Sequence, residues 1–254
     1  MRIGVFVGSS RLLVSHEAVN LGVSELRTPW GDAAALPQGY ALGEHELILL
    51  PRHGAAHALA PHQINYRANV WLLHSLHVDC VIGTYTVGGI DPQLNVGDVV
   101  VPQQIVDYTW GRASTYDDEL RHIDFSYPFD QTLRQQLLAV APDLVEGGTY
   151  ACSQGPRLET AAEIRRMARD GCSLVGMTAM PEAGLCRELD LKLAALCLIV
   201  NPAAGVVPGG PDPATATLAE APAQPIDLSE LQAASRRGAA RMLQVIEGLL
   251  PSLS

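Results

Sequence analysis

The chain has no apolar run of membrane-spanning length, no CxxC pair and no HExxH motif. The first absence excludes a transmembrane helix. The others remove the commonest zinc signatures, so no metal is expected, and His74 and His77 read as helix-surface residues rather than ligands. Cysteine is present five times, at Cys80, Cys152, Cys172, Cys186 and Cys197, an odd number, and all but Cys152 lie in apolar surroundings. That pattern predicts reduced, buried thiols in a cytosolic protein. Positive charge is scarce: the net charge of -10 argues against a nucleic-acid surface but leaves room for a local anion site. The start, MRIGVFVGSS, lacks the apolar core and cleavage site of a leader, and a cytoplasmic location without membrane contact is expected. There are no repeats and no sign of a second core. One globular domain over residues 1–254 is therefore predicted, 48% hydrophobic and 17% charged.

What is present is organised around YACSQGPRLETAAEIRRMARDGCSLVGMTAMPE, residues 150–182. It reads as strand, turn, helix, strand, turn, helix, an α/β unit. Gly155-Pro156 marks a turn. Thr160 and Glu163 have the spacing of a capping box. Ile164, Met167 and Ala168 then share a helical face, and Gly171 suits the position after the helix. Residues 174–177 predict a short buried strand, with Pro181-Glu182 opening the next helix. Two chain turns thus lie side by side, one carrying Arg157 and Glu159, the other Met177 and Thr178. Adjacent strand ends in an α/β sheet are where small ligands bind.

Elsewhere, residues 3–7, 46–50, 80–86, 98–106 and 193–200 predict strands. Val87-Gly88-Gly89 reads as a sharp turn out of the third, and Asn201-Pro202 as the stop of the last. Residues 20–45 read as polar and turn-rich. Helices are predicted from about Asn65, a plausible cap, over residues 130–140, and from Ile226 to about Leu250, with Leu228, Leu231, Met242 and Val245 on its buried side. Residues 107–130 form a long aromatic, polar connection, of a length that is usually functional or interfacial. The Pro-, Gly- and Ala-rich residues 205–225 predict a mobile loop. Arg52 and His53 follow a strand directly, and arginine has the planar donor fork suited to phosphate. Gly8-Ser9-Ser10, after the first strand, can present N–H groups and hydroxyls to an oxyanion, although from this turn alone an ordinary tight turn is the favoured reading.

GPRLETAAE and VGMTAMPE, with RHGAAH (52–57), HQINYRANVW (62–71), VGGI (87–90), PQQIVDYTWGR (102–112) and HIDFSYPF (122–129), resemble the purine-nucleoside phosphorylase superfamily in its trimeric branch, with methylthioadenosine phosphorylase. The match spans most of residues 1–205, in order. It implies the phosphorylase/hydrolase-like fold, a twisted mixed sheet flanked by helices. It also implies inorganic phosphate as co-substrate, no cofactor and a homotrimer. The chain departs from the family at two places. It has Val7-Gly8-Ser9-Ser10 where a Gly-Gly-Thr-Gly type turn is usual, and Tyr85 where relatives carry Asn or Thr.

Carried over residue by residue, the resemblance assigns phosphate to Ser9, Arg52, His53 and the backbone N–H of Thr86. Met177 lies against the ribose, with Leu158 also lining the substrate, and Thr178 lines the sugar or phosphate side. His57 lies near the reacting centre, and His122 is nominated to reach a neighbouring subunit's site. Glu159 and Asn201 face the base, and Asn201, Thr178 and His53 are the candidate catalytic residues. An Asn amide can bridge N7–H and O6 of a 6-oxopurine. Adenine-specific members carry Asp around this stretch, where this chain reads Asn201, Pro202, Ala203, so hypoxanthine or guanine is the expected base. The last helix reads the 5′ end, where Leu228 and Leu231 suit a methylthio group. The combined expectation is phosphorolysis of S-methyl-5′-thioinosine to hypoxanthine and 5-methylthioribose 1-phosphate. Methylthioadenosine or inosine/guanosine phosphorolysis stays open, as does a non-catalytic purine-binding homologue, which the altered turn and Tyr85 keep in view.

Overall fold

The computed structural model describes residues 1–9, 12–112, 114, 119–217 and 225–253. Ser10, part of the 107–130 connection and residues 218–224 of the expected loop lie outside the described residues. The main elements in chain order are β1 (Arg2–Val7), β2 (Gln38–Leu42), β3 (His45–Pro51), α1 (Tyr66–Ser75), β4 (Cys80–Gly89), β5 (Val99–Val101), β6 (Gln104–Asp107), α2 (Gln131–Val140), β7 (Thr149–Cys152), α3 (Ala161–Arg169), β8 (Leu174–Gly176), α4 (Ala179–Glu188), β9 (Leu193–Pro202) and α5 (Leu228–Leu249).

Alternation within the apolar strands builds two core layers. On β1 and β3, Ile3, Val5, Leu47 and Leu49 join one cluster, with Leu137 of α2 and Met242 and Ile246 of α5. Phe6, Ile48 and Leu50 point the other way, into a cluster with Val70 and Leu73 of α1 and Leu185 of α4. Successive strand side chains face opposite sides, so strands covered on both faces read as continuous apolar runs.

The sheet is mixed and eleven-stranded. β4 is its axis, parallel to β1 on one edge and to β9 on the other. β3 lies parallel to β1, β2 pairs antiparallel with β3, and β5 antiparallel with β9. On its β1 edge, β4 pairs with β1 only up to Gly83; β8 takes over, antiparallel, at Gly88 and Gly89. β7 then joins β8 to β6. The sheet therefore splits along residues 84–87 of β4, and the split is where side chains and loops converge.

Several expected boundaries move. Val87-Gly88-Gly89 does not turn out of the strand; β4 runs on through Gly89 because β9 and β8 pair with it there. The strand expected over residues 98–106 is two, β5 and β6, interrupted at Pro102-Gln103. β9 continues through Asn201-Pro202, with a bulge between Ile199 and Asn201. Proline is tolerated at that strand end because β5 pairs with β9 only at Cys197 and Leu198. Residues 38–42, expected to be turn-rich, form β2 beside β3. The local signals hold where they are chemical. Asn65 accepts from the Ala68 N–H, and Thr160 and Glu163 form the reciprocal capping box at 3.2 and 2.7 Å. All five cysteines are buried free thiols.

Candidate active site

A cavity of about 170 Å³ lies at the split in the sheet. Its wall takes Gly8 and Ser9 after β1, Arg52 and His53 after β3, Thr86 from β4, Leu158 and Glu159 after β7, Met177 and Thr178 after β8, and Asn201 from β9. Leu231 of α5 and the preceding Ile226 add an apolar side. Residues from most of the chain length thus meet at strand ends, as the topology requires.

The Arg52 side chain is 1% exposed and does not present an open fork to the cavity. Its Nε donates to Glu182 Oε1 at 2.6 Å and its Nη2 to Glu182 Oε2 at 3.1 Å. Nη1 donates to the Thr84 carbonyl at 2.8 Å and Nη2 to that of Phe6 at 3.1 Å. The expectation of a whole guanidinium offered to phosphate is therefore corrected: a buried carboxylate occupies the fork, leaving one N–H on Nη1. Burial alone lowers the Arg52 pKa, but Glu182, with smaller help from Tyr85 and Tyr66, brings it above its ordinary value and holds the group charged.

His53 is buried, and its Nδ1 lies 2.8 Å from the Leu59 carbonyl. Nδ1 therefore carries the proton and donates, which leaves Nε2 as an acceptor. Burial, then the adjacent Arg52 charge, lowers its pKa to about 4, against the smaller opposing effect of the Leu59 hydrogen bond. His57 sits next to this group rather than in the wall. Its ring centroid is 4.4 Å from that of His53, and its Nε2 is 3.3 Å from Ser9 Oγ.

Across the sheet, the Ser153 hydroxyl donates to Glu159 and lies 3.4 Å from the Gly176 carbonyl. Glu159 is thus oriented by a buried serine, not only placed at the start of a helix. Arg112 donates to the Met177 carbonyl at 3.1 Å and to that of Gln154 at 3.2 Å, tying the two turns together. Its guanidinium lies 5.3 Å from the centroid of the Tyr66 ring. Thr178 is buried, and its hydroxyl makes no cap hydrogen bond to α4. The Asn201 amide nitrogen donates to the Pro202 carbonyl at 2.6 Å.

Three expected residues are not in the cavity wall: His57, placed beside His53 as described, Leu228 and His122. Leu228 is 61% exposed, because Asp227 caps α5 and turns this first helical residue outward. Ile226 and Leu231 form the apolar wall instead. His122 is exposed and does not line the cavity of its own chain. Sequence reasoning missed Glu182, Ser153, Arg112 and Ile226. A signal existed for Glu182, a carboxylate inside the apolar run AMPEAGLC, since buried acids are almost always paired. Among the described residues no group of three His, Cys, Asp or Glu side chains could hold a metal, and no helix is long and apolar enough to cross a membrane.

The phosphorylase superfamily model matches residues 2–251. The chain belongs to that family. It is 46% identical over 216 residues to the probable S-methyl-5′-thioinosine phosphorylase of Pseudomonas syringae pv. tomato, covering 81% of this chain and 87% of that one. It is also 46% identical over 183 residues to the S-methyl-5′-thioadenosine phosphorylase of Mycobacterium tuberculosis, covering 72% and 69%. The 6-oxopurine nucleoside phosphorylase of Pyrococcus furiosus is 39% identical over 218 residues, covering 81% of each chain. In fold, the chain superimposes on an adenosine/methylthioadenosine phosphorylase variant from Schistosoma mansoni with a TM-score of 0.85 at 23% identity, covering 99% and 91%.

Proposed function

We propose that this phosphorylase, a pentosyltransferase, cleaves S-methyl-5′-thioinosine with inorganic phosphate. Phosphate oxygen forms a bond to C1′ as the C1′–N9 bond breaks, and the purine leaves with the electron pair. Hypoxanthine and 5-methylthioribose 1-phosphate result. The site must hold an anion, bear positive charge building on the ribose and neutralise the leaving base, which is work for preorganised groups.

The observation that carries the reading is that Asn201, Glu159, Ile226 and Leu231 share one cavity. Overall similarity does not choose the base, because relatives named for methylthioinosine and for methylthioadenosine are equally identical to the chain. Asn201 with Ala203 supports a 6-oxopurine: the amide can donate to O6 and accept from N7–H, and Pro202 and Ala203 follow it in place of an aspartate. Glu159 accepts from N1–H, held by Ser153. Ile226 and Leu231 suit a methylthio group better than a hydroxyl. Ser9, His53, the Thr86 N–H and the remaining Arg52 N–H hold phosphate, with the neutral His53 Nε2 accepting from a protonated phosphate oxygen. Met177, Leu158 and Thr178 frame the sugar, with His57 beside the phosphate group.

The same reading makes the protein a cytoplasmic homotrimer. Trp110, Leu120 and Tyr127, at 75%, 88% and 62% exposure, all belong to the long 107–130 connection and support a subunit contact there. His122 of one chain then serves a neighbour's site. Identification of the sugar product tests the chemistry: 5-methylthioribose 1-phosphate supports phosphorolysis, whereas free 5-methylthioribose contradicts it.

A further inference from the structure

Tyr85, on β4, is not in the cavity wall. Its side chain is buried, and its hydroxyl donates to Glu182 Oε2 at 2.8 Å. Its ring lies under the Arg52 guanidinium, 4.7 Å from the carbon between the nitrogens, and meets Tyr150 edge-on at 5.7 Å. Gly83, two residues back on the same face of β4, makes room for it: a Cβ there would lie 2.3 Å from the Tyr85 hydroxyl. Tyr85 therefore holds both members of the buried pair, one through the ring face and the other through the hydroxyl.

The pair in turn fixes the one Arg52 N–H left over among the described residues. Arg52 has five N–H groups. Four go to Glu182, Thr84 and Phe6. The fifth is on Nη1, and that nitrogen lies 2.6 Å from where a Cβ on Gly8 would stand, under the turn that lines the cavity. Only a residue without a Cβ lets the guanidinium come so close. The direction of this N–H depends on the plane of the guanidinium, which Glu182 and Tyr85 set.

We propose that Tyr85, acting through Glu182, is a positioning residue for the phosphate subsite. It aims the free Nη1 N–H of Arg52 at an oxyanion held on the Gly8-Ser9 turn. This rests on the phosphorylase reading. The aromatic hydroxyl reaches into the core to a carboxylate from α4, 97 positions away in sequence.

The test is Tyr85→Phe, which keeps the ring and its packing and removes only the hydroxyl. The KM for phosphate should rise about tenfold, the size of one hydrogen bond to a charged group, while kcat and the KM for nucleoside at saturating phosphate stay within about twofold. Phosphate alone, without nucleoside, should raise the melting temperature of the variant only at about tenfold higher concentration than in the wild type. An unchanged phosphate KM, or both KM values rising together, overturns the proposal and leaves Tyr85 as core packing. A wild-type rate independent of phosphate overturns the phosphorylase reading itself, and this inference with it.

Discussion

The Ser153 hydroxyl donates to the Glu159 carboxylate, and Ser153 is itself buried beside the Gly176 carbonyl. One acceptor direction of Glu159 is thereby fixed, and the rest of the carboxylate is left for a ligand. Ser153→Ala should raise the KM for nucleoside about tenfold through loss of a charge-assisted hydrogen bond. The KM for phosphate should not change. A rise in the phosphate KM instead would place Glu159 away from the base.

Base choice should move with Asn201. Asn201→Asp replaces a group that donates and accepts by one that only accepts. It repels O6 and suits the 6-amino group of adenine. Loss of one such transition-state hydrogen bond lowers kcat/KM for methylthioinosine by about a hundredfold, or roughly 2–4 kcal/mol. The gain for methylthioadenosine should be smaller, because Glu159 still lacks an N1–H partner. Adding Ala203→Asp should move preference further. A ratio of the two efficiencies that does not change on substitution would show that Asn201 does not read the base.

The two leucines of α5 should behave differently. Leu231 lines the cavity, whereas Leu228 is 61% exposed. Leu231→His should lower the preference for a 5′-methylthio over a 5′-hydroxyl nucleoside by about tenfold, since a hydrophobic contact of this size contributes roughly 1–3 kcal/mol. Leu228→Ser should leave that ratio within about twofold. Equal effects at the two positions would contradict the placement of the helix start.

His53 should make the protein sensitive to acid. Burial and the neighbouring Arg52 push its pKa down from 6.5 to about 4. The unfolded chain therefore binds a proton in this window that the native protein excludes. The stability contributed by neutral His53 is complete above about pH 6.5 and is lost as pH falls toward 4, about 3 kcal/mol in all. Melting temperatures of His53→Gln between pH 4 and 6.5 should fall less steeply than those of the wild type. Parallel slopes would mean that His53 titrates normally.

Much of this site is readable in the sequence where the cause is local. Asn65 and the Thr160–Glu163 pair cap their helices within three residues of themselves, and Gly155-Pro156 marks its turn. Strand cores follow from apolar runs, so Ser9, Arg52 and Thr178 could be put at strand ends before any fold was known. What was not readable depends on pairing across the chain. Glu182 looks like an ordinary first-turn acid until Arg52, 130 positions away, is placed against it. Val87-Gly88-Gly89 looks like a turn because its strand character comes from β8 and β9, not from the residues themselves. The outward orientation of Leu228 is set by Asp227, whose side chain accepts from Ser229 and Glu230. A one-residue error at that cap exchanges wall for surface.

The most direct test is an equal mixture of methylthioinosine, methylthioadenosine, inosine and guanosine, followed by the initial rate of loss of each with and without phosphate. The account predicts that methylthioinosine disappears first, that hypoxanthine appears in step with it, and that omission of phosphate stops the reaction. Faster loss of methylthioadenosine, or loss without phosphate, would contradict it.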